Sequence, residues 1–126
     1  MKTKIKKLWV NALRSAKYKQ TNLDNCFKDE YGRFDVLGVL CDLYRKETGL
    51  GRWSHGVLCN SYQRQFLSAT SCLPIDVAMW AGIDTDDMLV PIKYRGSMTT
   101  LAFLSDESGL NRLDFDGFAD LIENQL

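Results

Sequence analysis

Residues 33–49 read RFDVLGVLCDLYRKETG, and this stretch decides the fold. Phe34, Leu37, Leu40, Cys41 and Tyr44 recur at helical spacing, while Val36, Val39 and Leu43 fall on a second face. A helix that is apolar nearly all round belongs at the centre of a domain, covered by other elements. The stretch therefore predicts a central helix from about Phe34 to Lys46, with Asp35 as its N-cap and Gly49 just past its end. Gly38 sits inside it, where glycine costs about 0.5–1 kcal/mol relative to alanine. That cost predicts a close approach by the first helix or a strand; the sharper reading is a ligand against the backbone.

Outward from this centre, Ile5, Leu8, Trp9, Ala12, Leu13 and Ala16 recur at helical spacing, predicting an amphipathic helix over residues 3–17. Residues 21–33, rich in Asn, Asp and Gly around Leu23, Cys26 and Phe27, read as a loop or short hairpin. Beyond the centre, β-leaning runs at Val57–Cys59 and Phe66–Thr70 predict a hairpin. LPIDVAMWAGI, residues 73–83, predicts a short helix with Pro74 at its first turn and Gly82 as its stop. Residues 87–96 and 98–104 read as short extended segments, the second open to a helical turn. Phe115, Phe118, Leu121 and Ile122 form the stripe of a C-terminal helix. Helices at both ends with strands between predict an α+β class: a small antiparallel sheet packed against N-terminal, central and C-terminal helices. Leu8, Leu13, Leu37, Leu40, Leu43, Phe118 and Ile122 are expected in the core.

The 126 residues, 45% hydrophobic and 25% charged, fit one globular domain over 1–126 with a core large enough to fold without staples. The lysine-rich start is followed by apolar residues that Asn11 and Arg14 interrupt, so no signal-peptide core and no membrane span are read. The expected setting is cytoplasmic, with Cys26, Cys41, Cys59 and Cys72 as free thiols. Net charge is zero, but residues 1–20 hold seven basic residues and no acid, leaving nine basic against 16 acidic residues in the rest. The polarity predicts that the first helix docks near the acidic C-terminal one, or that two faces address different partners. A neutral chain argues against nucleic acid as the partner.

Catalytic and metal readings are thin. His55-x-x-x-Cys59 has ligand-type residues but no Cys-x-x-Cys or second His beside it. His55 is the single histidine a Cys59 nucleophile could use, and Asp106 and Glu107 are neighbours that point apart more often than together. No phosphate-binding glycine loop occurs. The expectation is a non-enzymatic protein with no cofactor and no metal. Arg14, Ser15, Tyr18 and Gln20, by contrast, gather beyond the end of the first helix. They offer a guanidinium fork for phosphate or carboxylate, an aromatic face for a base and an amide for a base edge. The bland reading of the same residues is a helix end whose carbonyls and dipole attract cations. With Trp53, His55 and Tyr62 they make up the expected ligand-binding set.

The succession WVNALRSAKYKQ, FDVLGVLCDLY, LPIDVAMWAGI, LAFLSDESG and FADLIE resembles a family of small uncharacterised bacteriophage and bacterial proteins. Its pattern runs W-x-x-A-L-R-S-G-x-Y-x-Q, then C-C-L-G-V-L-C-D-L, then L-N-D-S-G and F-x-x-I-A-D-L-I-E. The chain departs from it at Ala16, where Gly is usual, at Phe34-Asp35-Val36 in place of the Cys pair, and at Ser105 in place of Asn. The resemblance implies a phage-type setting and so two expectations. One is a counter-defence factor that sequesters a nucleotide-type signal. The other is an anti-CRISPR-like protein inhibitor of a host defence complex, using an acidic face of Asp84, Asp86, Asp87, Asp106 and Glu107. Homo-oligomer formation is left open.

Overall fold

The computed structural model describes residues 1–23, 26–58, 61–66, 72–106 and 112–126, with the side chains of 55–58 and 61–65 left aside. Five helices and two hairpins follow one another among these residues: α1 (Thr3–Arg14), α2 (Val36–Thr48), β1 (Trp53–Leu58), β2 (Ser61–Phe66), α3 (Ile75–Ala81), β3 (Pro91–Tyr94), β4 (Ser97–Thr100), α4 (Leu101–Ser105) and α5 (Phe115–Gln125). The class is α+β. The strands make two separate antiparallel pairs, β1 with β2 and β3 with β4, rather than one sheet. Among the described residues no helix is long and apolar enough to cross a membrane.

α2 is the centre, as its composition requires. Every residue from Val36 to Tyr44 is buried. The Asp35 carboxylate accepts the Gly38 N–H at 2.6 Å, and Gly49 closes the helix at φ 72°. The packing against Gly38 comes from the segment around Phe27 and not from a helix or strand: a Cβ there would fall onto the Phe27 carbonyl oxygen, 2.7 Å from its carbon. α1 crosses the start of α2, where the buried Trp9 indole donates to the Val36 carbonyl at 3.0 Å. Its buried residues are Ile5, Trp9, Val10 and Leu13, while Leu8 and Ala12 are half-buried. Val10 reaches the core because α1 also lies against α5, whose Phe115, Phe118, Ala119 and Ile122 are buried. Helix α1 stops at Arg14, short of residue 17, because Ala16 turns to φ 61° and the Ser15 hydroxyl donates back to the Ala12 carbonyl at 2.7 Å.

The first hairpin runs earlier than the β-leaning residues suggest, pairing Trp53 with Phe66 and Leu58 with Ser61. Residues 67–70 and Cys59 lie outside the described residues. Its inner end joins an aromatic cluster in which Tyr18 meets Phe34, Phe34 meets Trp53, and Trp53 meets Phe66 at centroid distances of 5.0, 5.8 and 4.9 Å. α3 begins after Pro74 and ends at Gly82, φ 74°, as its residues dictate.

Asp35 carries a consequence for stability. Burial pushes its carboxyl up to about 8, with the Gly38 N–H pulling the other way and Asp106 adding to the push. A folded-state pKa above the unfolded one means that folding takes up a proton; this contribution is full below about pH 4 and lost as the pH rises towards about 8. Asp35→Asn keeps the cap and removes the titration. Its stability relative to the parent should therefore rise between about pH 5 and pH 8 in urea titrations. Parallel pH profiles would show instead that the folded protein holds Asp35 ionised throughout.

Candidate functional site

The end of α1 is where the expected ligand residues meet. Ala16 is an L-residue in the left-handed region, a conformation that costs roughly 1–2 kcal/mol. Glycine would take the same positive φ without that cost. The turn swings the chain so that Tyr18 faces α2 and Gln20 faces the segment before α5. A cleft of about 250 Å³ opens there, lined by Leu13, Arg14, Ala16, Tyr18, Gln20, Asp114, Phe115 and Asp116. Arg14, Tyr18 and Gln20 thus line one cleft. Ser15 does not line it; its hydroxyl accepts the Lys17 N–H and serves the turn.

Each of these side chains also has a partner inside the fold. Arg14 Nη2 lies 2.7 Å from Asp120 Oδ1 and 2.7 Å from Glu123 Oε2, which joins the basic α1 to the acidic α5. Hydrogen bonds to Asp120 and Glu123 raise its already high pKa, so the guanidinium stays charged. Gln20 Nε2 donates to the Leu113 carbonyl at 2.9 Å, tying the loop to the approach of α5.

Tyr18 belongs to a network built on a carboxylate that the sequence reading passed over. Asp42, on α2, is nearly buried and accepts the Tyr18 hydroxyl at 2.8 Å, the Trp53 indole N–H at 3.0 Å and the Arg45 guanidinium at 3.1 Å. Lys46 donates to the Tyr18 hydroxyl at 3.0 Å and lies 3.4 Å from Asp42. Burial by itself would raise the Asp42 pKa, but the hydrogen bonds from Trp53, Tyr18 and Arg45 outweigh it and hold the group below the usual carboxylate range. Burial is likewise the main reason the Tyr18 phenol is raised, with the Lys46 hydrogen bond opposing it. Trp53 is thereby tied to Tyr18 through Asp42, on the α2 side of Tyr18. The side chains of His55 and Tyr62 lie outside the described residues, and β1 and β2 place their backbones on the hairpin.

A second cleft, about 290 Å³, adjoins the first along α1 and is lined by Thr3, Lys6, Lys7, Val10, Asn11, Arg14 and Glu123. Arg14 is common to both. One side of it is basic through Lys6 and Lys7; the other is polar and acidic through Gln20, Asp114 and Asp116. Lys6 and Lys7 belong to the basic run visible in the sequence, which reads as a docking charge or a partner-facing surface and singles out neither lysine. Asp114 and Asp116 come from about a hundred residues downstream, and only the packing of α5 on α1 brings them here.

A family model described as Domain of unknown function (DUF8296) matches residues 1–126. The chain belongs to that family. No curated protein and no solved structure matches it. Among its described residues no cluster of three or more His, Cys, Asp or Glu side chains could hold a metal ion, and Cys26, Cys41 and Cys72 are free. Burial pushes the Cys26 thiol up to about 12 and also raises the Cys41 thiol well above its ordinary value, so neither is a ready nucleophile. Asp106 stands at the end of α4, where its charge acts on Asp35, and Glu107 lies outside the described residues.

Proposed function

We propose that this is a non-enzymatic binding protein that sequesters a nucleotide-type ligand across the paired clefts, in a phage counter-defence setting. The reading rests on one observation: Arg14 is shared by a basic cleft and a polar cleft that runs on to Tyr18 and Gln20. A nucleotide has the matching polarity. Its phosphate would lie against Arg14, Lys6 and Lys7, and its sugar and base against Tyr18, Gln20, Asp114 and Asp116, whose carboxylates accept hydroxyl and amino hydrogens. Those two aspartates favour a ligand with a single phosphate group over a polyphosphate, since extra negative charge beside them would be repelled. The Arg14 side chain is exposed, so a ligand can reach its guanidinium beside the two ion pairs.

Calorimetry against a panel of cyclic and linear nucleotides tests the proposal. Arg14→Ala should weaken binding at least tenfold, the loss of a charge-assisted bond of about 1.5–3 kcal/mol. Arg14→Lys should recover little of it, because Lys lacks the planar fork. Thermal melts of both variants should move only slightly, since Arg14 is exposed and surface ion pairs contribute at most about 1 kcal/mol. If no nucleotide binds the parent protein at micromolar concentration, the reading fails.

A further inference from the structure

Residues 72–91 contain Asp76, Asp84, Asp86 and Asp87 and no basic residue, and these four acids are exposed. Among the described residues none of them is in an ion pair. The same segment surrounds a groove of about 370 Å³ whose lining is mostly apolar: Cys72, Met88, Leu89 and Pro91, with Thr100 at one side and Asp86 and Asp87 at the lip. It shares no residue with the clefts at α1.

The backbone shows how far the apolar surface extends. Leu73 N–H donates to the Met88 carbonyl at 3.1 Å, and Ala102 N–H donates to the Leu89 carbonyl at 3.3 Å. The loop carrying Leu89 is therefore stitched on one side to the entry of α3 and on the other to the first turn of α4. Each neighbour exposes large apolar side chains: Ile75 at 54% and Met79 at 62% on α3, and Phe103 at 62% on α4, beside Leu89 at 47%. Ile75 and Met79 are four residues apart on one helix, so they share a face. Lone exposed apolar residues are ordinary; a mostly apolar groove edged with carboxylates, with further exposed apolar side chains on both elements bonded to its loop, has the make-up of a partner surface.

We propose that this groove docks a basic protein segment in which apolar side chains alternate with Lys or Arg. The apolar positions would enter beside Met88 and Leu89, and the cations would meet Asp86 and Asp87 at the lip. Charge complementarity selects this occupant, because an acidic or neutral segment would bury the same apolar surface while leaving the Asp86 and Asp87 carboxylates without a counter-charge.

The test uses the full chain and three fluorescent 16-residue peptides: Lys alternating with Leu, Lys alternating with Ser, and Glu alternating with Leu. In anisotropy titrations at physiological salt, the Lys/Leu peptide should bind at least tenfold more tightly than either of the others. Asp86→Asn combined with Asp87→Asn, and separately Leu89→Ser, should each weaken it at least tenfold, while Glu47→Gln on the exposed side of α2 should change it less than twofold. The bound peptide should also slow alkylation of Cys72, read by peptide mass mapping. Thermal melts confirm that each variant is folded, and alkylation of the parent gives the same answer with no substitution. Equal weakening by Glu47→Gln, indifference to Leu89→Ser, or unchanged Cys72 alkylation would overturn the proposal as unspecific charge attraction. Sedimentation showing a dimer that Leu89→Ser dissociates would overturn it in favour of a second copy of this chain. Nucleotide binding at Arg14 is measured separately, and neither result decides the other.

Discussion

Gly38→Ala should lower stability by about 3 kcal/mol, although the same exchange in an open helix ordinarily gains about 1 kcal/mol. The added methyl would fall onto the Phe27 carbonyl oxygen and lie 2.9 Å from the Phe27 Cα, so it meets backbone and not a side chain that could rotate away. That carbonyl already accepts the Asp35 N–H at 3.1 Å, one residue before α2 begins. To make room, the loop must lift off the helix, which breaks this bond and draws the buried Phe27 and Cys26 from the core. A urea titration measures the effect. A loss below about 1 kcal/mol would show that the loop is only loosely held against α2.

Asp42→Ala is expected to cost a similar amount, about 3 kcal/mol, through a different cause. Removing the carboxylate deprives the Trp53 indole and the Tyr18 hydroxyl of their acceptor in a region shielded from water, while Arg45 and Lys46, more exposed, turn to solvent. The two shielded donors carry most of the penalty. Since folding holds the Asp42 pKa below its ordinary value, its contribution is present above about pH 4 and lost as the pH falls through the lowered folded value. The difference between parent and variant should accordingly shrink in acid. Denaturant titrations at neutral and acid pH check both statements; equal differences at the two pH values would mean that charge plays no part in the network.

The helices were legible because helix signals are local. Asp35, Gly49, Pro74 and Gly82 end their helices where side-chain and backbone chemistry require, and the apolar pattern of α2 carried its central place. The end of α1 was misjudged by three residues, because Ala16 has a fine helical propensity and only tertiary contacts force it to a positive φ. The hairpin was placed too late for a related reason: β-propensity pointed to Val57–Cys59 and Phe66–Thr70, whereas pairing begins where Trp53 and Phe66 meet in the aromatic cluster. At the candidate site, Arg14, Tyr18 and Gln20 could be grouped because they follow one helix end. Asp114 and Asp116 could not, since nothing local ties them to residue 14. Asp42 reads as part of the central helix, and two of its donors, Tyr18 and Trp53, come from other segments of the chain.

The pairing of α1 with α5 also orders events in time. During synthesis α1 emerges roughly a hundred residues ahead of α5, at about 5–20 residues per second. For those seconds the side of α1 that carries Val10 and Leu13 has no surface to lie on, and Arg14 has neither Asp120 nor Glu123. Closing so long a loop also carries an entropy cost that hairpins and neighbouring helices avoid. A segment made late thus seals one made early, and a ribosome stalled before residue 115 would hold a chain in which α1 is still sticky.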